Sequence, residues 1–192
     1  MKNPIVIIAA LEREISAQVL PVHIPIVYSG IGKINATMAT VRAIQQYQPK
    51  LIINLGTAGG VNSNLSGLVQ VRKVVQRDMI AEPLAPRGSV PFTNKPNAFH
   101  AVHGDYVCGT GDSFVTQKDK WLIENQIDLV DMELFAIASV AYEYGVNWMA
   151  YKYISDNAND SSGEEWDNNV NHGEALFLEK LEELLSVNSL PK

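Results

Sequence analysis

Val130-Asp131-Met132-Glu133, then the apolar run Leu134 to Tyr144, then Trp148 to Ile154 and Ser155-Asp156, is the stretch that decides the fold. Leu134 to Tyr144 contains few helix breakers and stops at Gly145, a residue suited to a helix C-terminus. Trp148 to Ile154 reads as a buried strand. The stretch is therefore strand, helix, strand. It sets Glu133 at a strand-to-helix junction and Asp156 at the end of the next strand. Ligands of α/β sheets bind beyond the carboxyl ends of the strands, so the two acids are expected in one crevice. Two carboxyl groups in one crevice can hold different protonation states and perform different tasks.

Outward from that stretch the same alternation recurs. Ile5 to Ala10 is an apolar strand, Glu12 to Leu20 a short helix stopped by Pro21, and Ile24 to Tyr28 a second strand. Ile34, Met38, Val41 and Ile44 lie at spacings of three and four, which predicts a helix over Lys33 to Tyr47. Leu51 to Leu55 is a buried strand running into the turn Gly56-Thr57-Ala58-Gly59-Gly60. Val69 to Val75 and Ala101 to Cys108 are further strands. Between them, residues 78–97 hold four prolines (Pro83, Pro86, Pro91 and Pro96) and form a long loop. Thr116 to Gln126 is a helix, Ile127 to Met132 a strand, and Glu164 to Leu185 a C-terminal helix. Crossovers of this kind predict one three-layer α/β/α domain over residues 1–192, with a mixed, mostly parallel central sheet.

Composition narrows the function. The 192 residues carry a net charge of -6, which argues against a nucleic-acid backbone as partner. The single cysteine, Cys108, excludes an internal disulfide and a cysteine zinc site. His23, His100, His103 and His172 show no metal-ligand spacing, and Asp156 to Asp167 lacks the pattern of a calcium loop. No metal and no organic cofactor is expected. The first apolar run is too short for a signal peptide, and no run of about 18 apolar residues suggests a membrane span, so a cytoplasmic protein is expected.

Individual motifs leave alternatives open. Gly56 to Gly60 lets a ligand approach the backbone, or simply ends a strand. Ser29-Gly30-Ile31-Gly32-Lys33 suits an anion at a helix start, or a plain turn. Glu12 and Glu14 are favoured in a first helical turn by the helix dipole alone. Phe114 stacks on a planar ligand or fills the core. Arg87 meets a phosphate or carboxylate, or lies on the surface. The dinucleotide fingerprint and the Walker loop are both absent, which argues against a Rossmann redox enzyme.

Taken in order, Ala10-Leu11-Glu12-Arg13-Glu14, Ser29 to Lys33, Asn54-Leu55-Gly56-Thr57-Ala58-Gly59-Gly60, Gly109-Thr110-Gly111-Asp112-Ser113-Phe114, Met132-Glu133 and Ile154-Ser155-Asp156 resemble the nucleoside phosphorylase/nucleosidase superfamily. Within it they look most like the methylthioadenosine/S-adenosylhomocysteine nucleosidases. The resemblance implies an N-glycosidase acting on a small purine nucleoside, in a homodimer. It implies that Asp156 protonates purine N7, so that the base leaves neutral, and that Glu14 activates water. Met132 and Glu133 match ribose contacts. Phe114 matches the aromatic that stacks on the base, and the Val115 backbone reads the base edge. Thr57, in place of a family serine, joins Ala58, Gly59, Ser155 and Lys152 around the substrate.

Three departures stand out. Lys152 replaces a family arginine, keeping charge but not the fork geometry. The chain is shorter than typical members between Leu20 and Ile26 and between Phe92 and Ala101. The loop Glu82 to Phe92, whose family counterpart helps close the pocket for the 5′ end, is distinctive. Phosphorylases of the superfamily bind phosphate with arginines before the glycine-rich turn and after the first strand. Here Asn54-Leu55 and Ala10-Leu11-Glu12 stand there, which favours hydrolysis. A phosphorylase is the alternative, as is a non-catalytic binding or storage relative. The presence of Glu14, Glu133 and Asp156 argues against the last.

Overall fold

The computed structural model describes residues 5–186. Its eight-stranded mixed sheet carries five α-helices. In chain order they are β1 (Ile5–Ala9), β2 (Ile26–Tyr28), α1 (Lys33–Tyr47), β3 (Leu51–Gly60), β4 (Leu68–Gln76), β5 (Ala98–His100), β6 (Tyr106–Thr110), α2 (Lys120–Glu124), β7 (Leu129–Asp131), α3 (Leu134–Tyr144), β8 (Asn147–Asp156), α4 (Ser162–Asn169) and α5 (Glu174–Ser186). Parallel pairs are β1–β2, β1–β3, β3–β8, β4–β6 and β6–β7. Antiparallel pairs are β3–β7, β4–β5 and β4–β8. The sheet is thus mixed and mostly parallel, as expected.

Those pairings also close a ring, β3–β8–β4–β6–β7, in which the far end of β3 returns to β7 through Gly59↔Val130 and Gly60↔Leu129. The ring brings the ends of β3, β7 and β8 together. Strand alternation sorts the core onto two faces. Val6, Ile8 and Ile52 pack with Ala36 and Ala43 of α1 and Ile137 of α3. Ile5, Ile7, Leu51 and Ile53 face the other way, onto Phe177 and Leu181 of α5. Helix α1 ends at Gln48 in the left-handed region, and α3 ends at Gly145 with φ +64°.

Several elements differ from expectation. Residues 12–20 are turns with one 3-10 turn at Ala17–Val19, because the Glu14 carboxylate takes the amides of Ala10 and Leu11 and prevents a regular helix start. Gly56 to Gly60 is no turn but the buried second half of β3. Of the expected strand Ala101 to Cys108 only the end is strand, as β6; residues 101–105 bend between β5 and β6, and at Gly104 φ is +140° and a Cβ would lie 2.5 Å from the Val71 backbone. The helix expected over 116–126 shrinks to α2, capped by Asp119 accepting from the Leu122 amide. The C-terminal helix is two helices, parted where Gly173 presses on Tyr153.

Phe177 is fully buried and seats α5 on the sheet. Phe177→Ala is expected to lower unfolding stability by about 3–5 kcal/mol in urea denaturation. A loss under about 1 kcal/mol would show that α5 docks by other contacts.

Candidate active site

At the junction of β3, β7 and β8 lies an open pocket of about 550 Å³, within the size range of small-molecule sites. Glu14, Thr57, Ala58, Gly59, Phe114, Val115, Met132, Glu133, Ser155 and Asp156 all line it. Lys152 does not; its ammonium is buried beneath the floor, 2.8 Å from Asp131 Oδ2.

Glu14 is buried in the turn after β1 and accepts four hydrogen bonds. Ala10 and Leu11 amides donate to Oε2, both at 3.0 Å. The Thr57 amide and hydroxyl donate to Oε1, both at 2.8 Å. The turn geometry here matters more than a helix dipole: Glu14 is held by amides, while Glu12 is exposed.

Asp156 stands opposite. The β3–β8 register runs Ala58↔Ile154 and then Gly59↔Asp156, so Ser155 is the extra residue of a bulge. A bulge re-aims the side chain that follows it. The Ser155 hydroxyl donates to Asp156 Oδ2 at 3.0 Å and the Ala158 amide to Oδ1 at 3.0 Å. A Cβ on Gly59 would lie 2.6 Å from Oδ1, so glycine is what admits the carboxylate.

Glu133 precedes α3 and accepts from the Gly32 amide at 2.9 Å. Burial, reinforced by Asp131 and Glu14 and opposed by Lys152, pushes its pKa up to about 7. Asp131 behaves oppositely: burial alone would raise it, but Lys152 and its hydrogen bonds hold it below the usual carboxylate range. Burial likewise acts to lower the Lys152 ammonium, and Asp131 and Glu133 reverse that.

The helix-start segment Ser29 to Lys33 cradles the protein's own carboxylates. The Gly32 amide goes to Glu133, the Lys33 amide to Asp112, and Lys33 Nζ lies 2.6 Å from Asp78. Arg87 faces inward, paired with Asp119 at 2.8 Å and stacked over Trp121 at 4.7 Å. Its contacts are structural. The four histidines are exposed, and no cluster with metal-ligating potential occurs among the described residues.

Two lining residues escaped the sequence reading. Trp166 of α4 donates from Nε1 to Thr57 Oγ1 at 3.0 Å and meets Phe114 edge-on at 6.1 Å. A lone tryptophan inside an acidic helical run was its only signal. Arg77, directly after β4, is buried and donates to the carbonyls of Gly109, Gly111 and Ser113 and to the Ser113 hydroxyl, fixing the loop that carries Phe114. Gly111 makes room for it, since a Cβ there would lie 2.9 Å from the guanidinium carbon.

Comparisons with known proteins bear on the family and the fold. The family profile described as the phosphorylase superfamily matches residues 15–186. The chain is similar to a 5′-methylthioadenosine/S-adenosylhomocysteine nucleosidase of Shewanella halifaxensis, with 28% identity over 93% of this chain and 89% of that one. A protein of the same name from Staphylococcus haemolyticus is 33% identical over 68% of this chain and 67% of that one. Among solved structures, a Helicobacter pylori nucleosidase mutant with 5′-methylthioadenosine in its active site superposes with a TM-score of 0.87, at 21% identity, covering 97% of this chain and 99% of that one. The futalosine hydrolase of the same organism superposes with a TM-score of 0.86, at 21% identity, covering 97% and 98%.

Because Glu133 keeps its proton to about pH 7 when folded, against an ordinary value of 4.5, the folded state binds the extra proton between those values. Stability from this group therefore falls as pH rises from 4.5 to 7, by about 1.4 kcal/mol per pH unit, and is flat outside that window. Glu133→Gln is expected to remove the slope and to gain on the parent chain by up to about 3 kcal/mol at pH 8. Parallel urea-denaturation curves for the two proteins across pH 4.5–8 would contradict the shifted Glu133.

Proposed function

The chain belongs to the phosphorylase superfamily, and we propose that within it the protein is a hydrolytic purine nucleosidase acting on a 5′-modified adenosine such as methylthioadenosine or S-adenosylhomocysteine. The observation that carries the reading is the placement of Glu14. Its carboxylate occupies the Thr57 amide at 2.8 Å, a donor that would otherwise be free for an oxyanion. A fixed negative charge there repels phosphate and suits the activation of water. The named relatives support the same activity class.

In this reading the nucleoside spans the pocket with its base beside Phe114 and Val115 and its sugar over Met132 and Glu133. Asp156 delivers a proton to N7 as the C1′–N9 bond breaks, and the purine leaves neutral. Positive charge builds on the sugar, and the Glu14 carboxylate stabilises it, while Glu133, which keeps its proton to about pH 7, meets the sugar hydroxyls. Glu14 is the final acceptor of the proton that water loses. Lys152 acts from below, holding Asp131 ionised and the start of α3 in place.

The homodimer belongs to the same proposal. Ile31, Ile34 and Met38 are exposed at spacings of three and four, and Ile31 also lines the pocket. A second copy covering this face would complete the pocket mouth. Light scattering is expected to give a dimer, and the pair Ile34→Glu and Met38→Glu a monomer. A monomeric parent chain would reject this interface.

Purified protein is expected to release adenine from methylthioadenosine in phosphate-free buffer, at a rate unchanged by added phosphate. Asp156→Asn should lower kcat by about 10²–10⁴. Base release only with phosphate would move the chain to the phosphorylases, and undiminished Asp156→Asn turnover would remove Asp156 as the acid.

A further inference from the structure

Glu14 has no acceptor site left for water. An ionised carboxylate offers about four lone-pair directions, and the amides of Ala10, Leu11 and Thr57 and the hydroxyl of Thr57 fill them. Three of these donors are backbone amides fixed by the fold. The fourth is the Thr57 hydroxyl, and its orientation is fixed too. Trp166 Nε1 can only donate, so Thr57 Oγ1 accepts from it and must turn its own proton to Glu14. A hydroxyl oxygen has two acceptor sites. Trp166 takes one, and the other is unfilled among the described residues.

We propose that Thr57 is a catalytic residue that relays the proton of the attacking water to Glu14. This rests on the nucleosidase reading above. The water oxygen bonds to C1′ as the C1′–N9 bond breaks, with the bonding pair leaving on the purine and Asp156 protonating N7. In the same step the water proton moves to Thr57 Oγ1 and the Thr57 proton moves to Glu14 Oε1. Thr57 starts and finishes neutral, so no alkoxide accumulates. Glu14 ends protonated and Asp156 ionised, and exchange with solvent resets both. Trp166 is a positioning residue for this relay.

The test compares adenine release from methylthioadenosine by the parent chain, Thr57→Ser, Thr57→Val, Glu14→Gln and the Thr57→Val/Glu14→Gln double variant, with affinity for free adenine measured on each. The relay predicts that Thr57→Ser keeps kcat within the same order. It predicts that Thr57→Val loses about 10²-fold or more while still binding adenine, and that the double variant is no slower than the worse single one, because the two residues act as a unit. A Thr57→Val enzyme within tenfold of the parent, beside an inactive Glu14→Gln, would show water reaching Glu14 directly and overturn the relay alone. Loss of adenine affinity in step with turnover would make Thr57 structural and also overturn it. A parent chain that releases no base would sink the nucleosidase reading and the relay together.

Discussion

One buried carboxylate ties the pocket floor together. Asp131 ends β7, and its side chain reaches three other elements: Lys152 of β8 at 2.8 Å, the Thr110 hydroxyl of β6 at 2.5 Å, and the Leu134 amide at the start of α3 at 2.9 Å. Thr110 Oγ1 then accepts the Phe135 amide at 2.9 Å. Removing one partner of such a buried pair leaves an uncompensated charge and costs about 3–5 kcal/mol, whereas an apolar pair of matched shape can be neutral. The ion pair also has a positional consequence. It fixes where α3 begins, hence where Glu133 stands, and its charges help decide the protonation of Glu133.

Much of this was legible in the chain because local signals agreed with the global fold. Helices α1 and α3 fall at the bounds that the spacing of apolar residues and Gly145 predict. The strand ends carrying Glu133 and Asp156 were readable because a carboxylate directly after a buried apolar run has few structural reasons to be there. The misread elements share a cause. Gly56 to Gly60 carries turn residues, yet it is strand because Glu14 and Asp156 need the space that missing side chains leave. Residues 12–20 have helical composition, but the Glu14 carboxylate, held by the amides of Ala10, Leu11 and Thr57, prevents a regular helix start.

The rest of the site depends on contacts distant in sequence, which periodicity cannot report. Trp166 meets Thr57 across 109 positions, and Arg77 meets the loop at 109–113 across more than 30. The exchange of a family arginine for Lys152 was visible, but not that the ammonium lies under the floor against Asp131. Nor does any local pattern announce that β3 curls back to β7 and closes a ring.

That closure also bears on how the protein stays apart from other strands in a crowded solution. Within the ring every strand has a neighbour on each side over at least part of its length, and β1 lies between β2 and β3. The strands at the two ends of the described sheet order are β2 and β5, each only three residues long. A border that short offers a foreign strand too few unpaired amides and carbonyls to template growth. A sheet rich in Val and Ile, the composition most prone to cross-β stacking, is thus kept from adding strands by its own topology.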